Sequence, residues 1–193
     1  NLPVNPISHL LLTIKGNNNT GTLSNYRFLS NYASFVTNFE VLFKGQAVMA
    51  GSLTDLMVIN ALLTGYMPYQ HRAVNTDNDV RSACFLLSFS RVPYWAEEAF
   101  PATSSGELQF RLTAGAAPAG MDTFNMQLET VELLGATPAR FLKYTPFTGT
   151  QASTGRLDVD IPRGNPLLGV MLFGTTVQTT TAGVNTIEDV QLK

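Results

Sequence analysis

The sequence predicts an all-β protein: an antiparallel jelly-roll β-sandwich with one short helix after the third strand. Three observations carry that expectation. Short runs of alternating apolar and polar residues recur along the chain, which is the period of a strand with one buried face. Clusters of Gly, Pro, Asn and Asp separate these runs as turns. Only one stretch, Ser52 to Gly65, changes to helical spacing with both a start and a stop signal.

Residues 1–6 hold two prolines and two asparagines and read as an extended arm able to reach a neighbour. Leu10, Leu12 and Ile14 alternate with Leu11, Thr13 and Lys15 in a first strand ending at Gly16. Asn17-Asn18-Asn19-Thr20-Gly21 follows as a polar turn, and a connection with Tyr26, Phe28 and Tyr32 leads on. Phe35, Thr37, Phe39, Val41 and Phe43 then form one strand face against Val36, Asn38, Glu40, Leu42 and Lys44. Gly45 breaks that run, and residues 47–50 return as a second short strand.

Ser52-Leu53-Thr54-Asp55 is a capping box, with Ser accepting from the first turn and Asp favoured by the helix dipole. Leu53, Leu56, Met57 and Leu63 fall on one helical face, and Gly65 followed by Pro68 ends the helix. Residues 67–79 read as loop. Residues 81–92 form a strand with Phe85, Leu87 and Phe89 on one face, ended by Pro93. An aromatic loop follows from Tyr94 and Trp95 to Phe100. Leu108, Phe110 and Leu112, then Phe124, Met126 and Leu128, mark two further strands, with a bulge suggested near Thr130-Val131.

Gly135-Ala136-Thr137-Pro138 is the domain boundary that composition suggests. It divides a jelly-roll barrel, 1–136, from the opening strands of a second jelly roll, 137–193, or from extra strands of a single barrel. The later strand candidates are residues 140–144, then Leu157, Val159 and Ile161 against Asp158 and Asp160, then residues 167–173 and 187–193. A faint internal echo relates residues 38–44 to 186–193.

Charged residues make up 13% of the chain against the ~25% usual for soluble domains, a composition that invites association. A net charge of −2 argues against a broad nucleic-acid footprint. One cysteine, Cys84, allows no intrachain disulfide and reads as an inert thiol. No P-loop, GxGxxG, GxSxG or HExxH occurs, and there are only two histidines, His9 and His71. Asp77-Asn78-Asp79 lacks the glycine and distal Glu of a calcium loop. Glu97-Glu98 beside Trp95 resembles a carbohydrate site only superficially. The expectation is therefore a protein that is not an enzyme, with no catalytic residue, cofactor or metal.

The order of elements resembles the major capsid proteins of tailless icosahedral viruses with an internal membrane, the tectivirus, corticovirus and sphaerolipovirus type. The matching pieces are ISHLLLTIKG, FVTNFEVLFKGQAVMAGSLTDLMVINALL, ACFLLSFSRVPYWAEEAFPATSSGELQFRLTAG and MDTFNMQLETVELLG. GRLDVDIPRGNPLLGVMLFG and NTIEDVQLK look like the opening of that family's second barrel, which would be unfinished here. The resemblance implies a coat subunit in the capsid shell of a virion, bacteriophage-like, near an internal membrane that it does not span. It implies a homo-oligomer, a trimeric or hexameric capsomer, with a second capsid protein as a further partner. Tyr94, Trp95, Phe100, Leu2 and Val4 are the interface candidates, since interface cores favour aromatic residues. The alternative is a jelly-roll carbohydrate-binding module, lectin-like; a cupin is disfavoured by the scarcity of histidine.

Overall fold

The computed structural model describes residues 1–18, 28–71, 79–117, 121–147, 155–161 and 164–172. The chain divides into two units, Asn1–Thr148 and Gly149–Lys193. The first is mostly β and contains two antiparallel sheets.

Its elements in order are β1 Ile7–Asn18, α1 Phe28–Phe35, β2 Val36–Phe43, β3 Gln46–Gly51, α2 Leu53–Thr64, β4 Tyr69–His71, β5 Val80–Ser88, β6 Leu108–Ala114 and β7 Met121–Glu132. One sheet has the order β4-β5-β1-β7 and the other β3-β2-β6. The predicted alternation fixes which faces meet. Leu10, Leu12 and Ile14 of β1 and Phe85 and Leu87 of β5 join Phe39 and Val41 of β2 in one buried core. Helix α2 follows the third strand as the capping box requires. Ser52 Oγ accepts from Asp55 N–H at 3.2 Å, and Asp55 Oδ2 accepts from Ser52 N–H at 2.7 Å. Gly65 ends the helix with φ 77°, a left-handed conformation that costs glycine little.

Several expectations need correction. Helix α1 and strand β4 occupy stretches read as connection and loop. Seven strands occur among the described residues, and the strands expected at 140–144, 157–161 and 167–172 are not formed. The irregularity expected near Thr130-Val131 is present as a register shift, but the extra residue is Ser8 on β1. The bulge in β7 itself lies at the other end, opposite Gly16, where Thr123 takes φ 51°. Gly16 suits this close approach, since an added Cβ would stand 2.8 Å from Met121 Cε and 3.0 Å from the Phe124 ring and would make those side chains shift.

The expected boundary at residue 136 also moves. Ala139 N–H donates to Glu97 O at 3.0 Å and Ala99 N–H to Arg140 O at 3.1 Å. Leu142 N–H donates to Phe89 O at 2.8 Å, and Tyr144 bonds Val48 O through its N–H and Ser88 O through its hydroxyl. Residues 137–147 therefore belong to the first unit, strapped across β3 and the end of β5.

In the second unit the described residues 155–161 and 164–172 carry no helix or strand. Leu157, Val159, Ile161, Leu167, Leu168, Val170, Met171 and Leu172 are all exposed. The expected turn at 19–21, the Asp77-Asn78 pair and the run 187–193 lie outside the described residues, so the internal echo does too.

Candidate interaction surface

The aromatic loop after β5 is the place where the sequence put its candidate anchors. Its conformation is set by contacts with the start of β1. Tyr94 N–H donates to Ser8 Oγ at 2.8 Å, and Ser8 Oγ lies 2.9 Å from His9 Nδ1. The Tyr94 ring stands edge-on to His9 with centroids 5.0 Å apart. Tyr94 has φ 69°, a left-handed conformation rare for a bulky residue, so these contacts hold a strained turn. Burial holds His9 below the ordinary imidazole pKa.

Behind Tyr94 the loop is closed around an acid. Glu98 is 3% exposed and accepts from Arg91 N–H at 2.8 Å and Arg91 Nε at 3.0 Å, with Arg140 Nε 3.2 Å from its other oxygen. Burial pushes the Glu98 carboxyl up. The hydrogen bonds from Arg91 and the charges of Arg91 and Arg140 together outweigh that, and hold it below the ordinary range. Two guanidinium groups lie near the Trp95 ring, Arg91 at 5.2 Å and Arg140 at 5.6 Å from its centroid. Glu98 and Arg140 were not singled out from the sequence as partners. The available signal was an acid inside an apolar loop, and nothing in the spacing pointed to an arginine 42 positions on.

The five interface candidates therefore separate. Tyr94 is 66% exposed and Val4 is exposed, while Trp95 is partly buried. Phe100 and Leu2 are buried and belong to the core, a correction to the expectation. Phe100 packs among Phe43, Phe89 and Phe141 with centroids 4.7–5.4 Å apart. Residues 1–6 are likewise no free arm: Leu2 N–H donates to Leu108 O at 3.0 Å and Thr103 N–H to Val4 O at 2.8 Å. The arm's backbone finds its partners within the sandwich, which satisfies groups that an extended reach would leave to solvent.

A second apolar surface follows the sheet edges. At one edge Leu62, Tyr66, Met67, Tyr69 and Val80 are exposed around the end of α2 and β4. At the other, β7 and β6 are both terminal strands. The expected core residues Phe110, Leu112, Phe124 and Leu128 are only partly buried there, and Met126 is 45% exposed although it faces inward beside Ile14. Chemically these surfaces offer apolar contact area beside strands that are terminal among the described residues, which suits association.

No protein-family model, curated protein or solved structure matches this chain.

Proposed function

We propose that this protein is a coat subunit: a jelly-roll sandwich that self-assembles into capsomers of an icosahedral virion shell. One observation carries the reading. Exposed apolar side chains lie at both lateral edges of the four-stranded sheet, around β4 at one end and at Met126 of β7 at the other. A monomer gains nothing from two such edges, whereas a shell built from repeated lateral contacts uses both. The strand order supports the finer jelly-roll reading. A jelly roll wraps an antiparallel hairpin around a barrel, so early strands pair with late ones in each sheet. Here β1 pairs with β7 and β5, β2 pairs with β6 and β3, and apart from β2 to β3 and β4 to β5 the chain crosses between sheets from each strand to the next.

The carbohydrate-module reading asks for an aromatic platform beside free acceptors. The Trp95 ring instead has two guanidinium groups against it, and Glu98 is engaged by both. The coat reading is tested by sedimentation velocity and electron microscopy of the full chain across concentration. Ring-like or sheet-like assemblies are the expected result. A chain that stays monomeric at high concentration overturns it.

A further inference from the structure

We infer that Ser8, His9 and Tyr94 form a proton-operated latch: one proton bound at His9 Nδ1 frees the Tyr94 turn from β1 while the sandwich stays folded. Every part of the latch lies within one copy of the chain, so it operates whether or not the chain assembles.

The bulge in β1 supplies the geometry. Ile7 and Phe100 exchange both backbone bonds at 2.9 Å, and Ser8 O accepts from Phe89 N–H at 3.1 Å, which pins the backbone around the extra residue. The Ser8 side chain meets the aromatic loop, where its Oγ accepts from Tyr94 N–H at 2.8 Å. The same oxygen lies 2.9 Å from His9 Nδ1. Ser8 is fully buried, so its hydroxyl hydrogen needs an acceptor inside the protein. Among the described residues Nδ1 is the acceptor beside it, which assigns the neutral ring with its own hydrogen on Nε2.

A proton arriving at Nδ1 turns that acceptor into a donor. Two hydrogens then meet between Nδ1 and Ser8 Oγ unless the hydroxyl rotates, and rotation leaves a buried hydroxyl hydrogen without an acceptor. His9 itself, 3% exposed, becomes a buried cation. The surrounding charges are engaged elsewhere. On β7 the acids nearest in register are Glu129 and Glu132, opposite Leu11 and Ile7, and they bond Gln127 and Asn5. On β5 Ser88 lies opposite His9, and the Tyr144 hydroxyl donates to the Ser88 carbonyl. In the loop Arg91 bonds Glu98, as does Arg140 of the strap. Burial accordingly holds the His9 pKa below 6.5. Both penalties end once the turn lifts and water reaches the ring.

Backbone conformation favours the release. Tyr94 takes φ 69°, which the contacts to Ser8 and His9 hold against its own preference. The other end of the loop stays shut in mild acid. The Glu98 carboxyl is held below the ordinary carboxylate range, so its bonds to Arg91 and Arg140 persist while His9 titrates. The Tyr94 turn therefore opens against a closed Glu98 cluster.

The test is NMR and amide hydrogen exchange on the full chain at about pH 7.5 and about pH 5, with rates corrected for their intrinsic pH dependence. The His9 ring is expected to titrate below 6.5, with the Tyr94 amide and ring signals moving at the same midpoint. Protection of the Tyr94 amide is expected to fall at least about threefold in acid, while the Leu10 and Phe85 amides keep theirs. His9→Asn, whose Oδ1 can accept from Ser8 without titrating, is expected to keep Tyr94 protected at both values. Ser8→Ala removes the acceptor and is expected to leave Tyr94 unprotected at both. Undiminished Tyr94 protection in acid, or a His9 midpoint at or above 6.5, overturns the latch. Loss at Tyr94 and Leu10 together overturns it as well, since that is global unfolding. The wild-type measurements decide these outcomes even where a variant fails to fold.

Discussion

The side-chain amide of Asn60 on α2 pairs with the backbone of Leu86 on β5 as a neighbouring strand would. Its Nδ2 donates to Leu86 O, and its Oδ1 accepts from Leu86 N–H at 2.8 Å. The pairing is needed because β4 accompanies β5 only as far as Cys84. Beyond that point the edge of β5 turns under the helix, where a free backbone group would be buried without a partner. Beyond β4, the β5 edge is thus sealed at Leu86 by the Asn60 carboxamide and at Ser88 by the Tyr144 hydroxyl.

Asn60→Ala should therefore leave both Leu86 groups unsatisfied under the helix. At about 1–3 kcal/mol for each of the two buried groups, the loss is expected to be roughly 2–6 kcal/mol in urea denaturation. Leu62→Ala, on the exposed side of the same helix, should change stability by less than about 0.5 kcal/mol. Equal effects from the two would dismiss the edge-sealing role.

Acid should unfold the protein through two identifiable groups. His9 has a lowered pKa in the fold, so below the ordinary value of 6.5 the unfolded chain binds more protons and stability declines. Glu98 is also lowered, so its contribution is present above the ordinary carboxylate pKa and is lost as pH falls through its folded value. Glu98→Gln should flatten the stability profile below about pH 4.5 and leave the His9 decline in place. Chemical denaturation at several pH values would check both, and an unchanged acid limb in Glu98→Gln would remove Glu98 as its cause.

Truncation of the core should distinguish its closed part from its open part. Phe39→Ala, in the centre of β2 and fully buried, should cost about 3–5 kcal/mol. Phe110→Ala, on the edge strand and only partly buried, should cost clearly less in the monomer. In assembled protein the Phe110 cost should rise, since a lateral contact at this edge would bury it. Thermal melts at low and high concentration separate the two cases.

The periodicity of the sequence located the main strands of the first unit, because alternation is a direct consequence of one buried face, but the same alternation at Leu157, Val159 and Ile161 forms no strand. The capping box at Ser52 and the glycine stop at Gly65 likewise state their own geometry. What alternation cannot reveal is whether a strand lies in the middle of a sheet or at its edge. Phe110, Met126 and Leu128 have the same pattern as Leu12 and Phe39, and their exposure follows from their place on strands that are terminal among the described residues. Helix α1 lacks an acidic first turn and a basic last turn, so no local signal competes with its aromatic composition. The Glu98 cluster depends on Arg140 returning from a distant segment, a tertiary contact with no signature in spacing. Phe100 was read as an anchor because aromatic residues favour interfaces, but the same apolar area serves a core equally well.

Tyr94 is the residue on which an interface test should now concentrate. Of the five candidates it combines high exposure with a fixed position, held by its N–H to Ser8 and its ring against His9. A rigid exposed aromatic loses little entropy on contact, which is the property of an anchor. Tyr94→Ala keeps the backbone bond to Ser8 and forfeits only the ring contact, so folding should weaken by about 0.5–1.5 kcal/mol. Deleting residues 1–6 should instead destabilise the fold, because Leu2 and Val4 bond the sandwich directly. Association measured by sedimentation should fall in Tyr94→Ala while circular dichroism remains that of wild type. Should Tyr94→Ala assemble with undiminished affinity, the loop is a structural clasp for β1 and the lateral contacts must lie at the sheet edges alone.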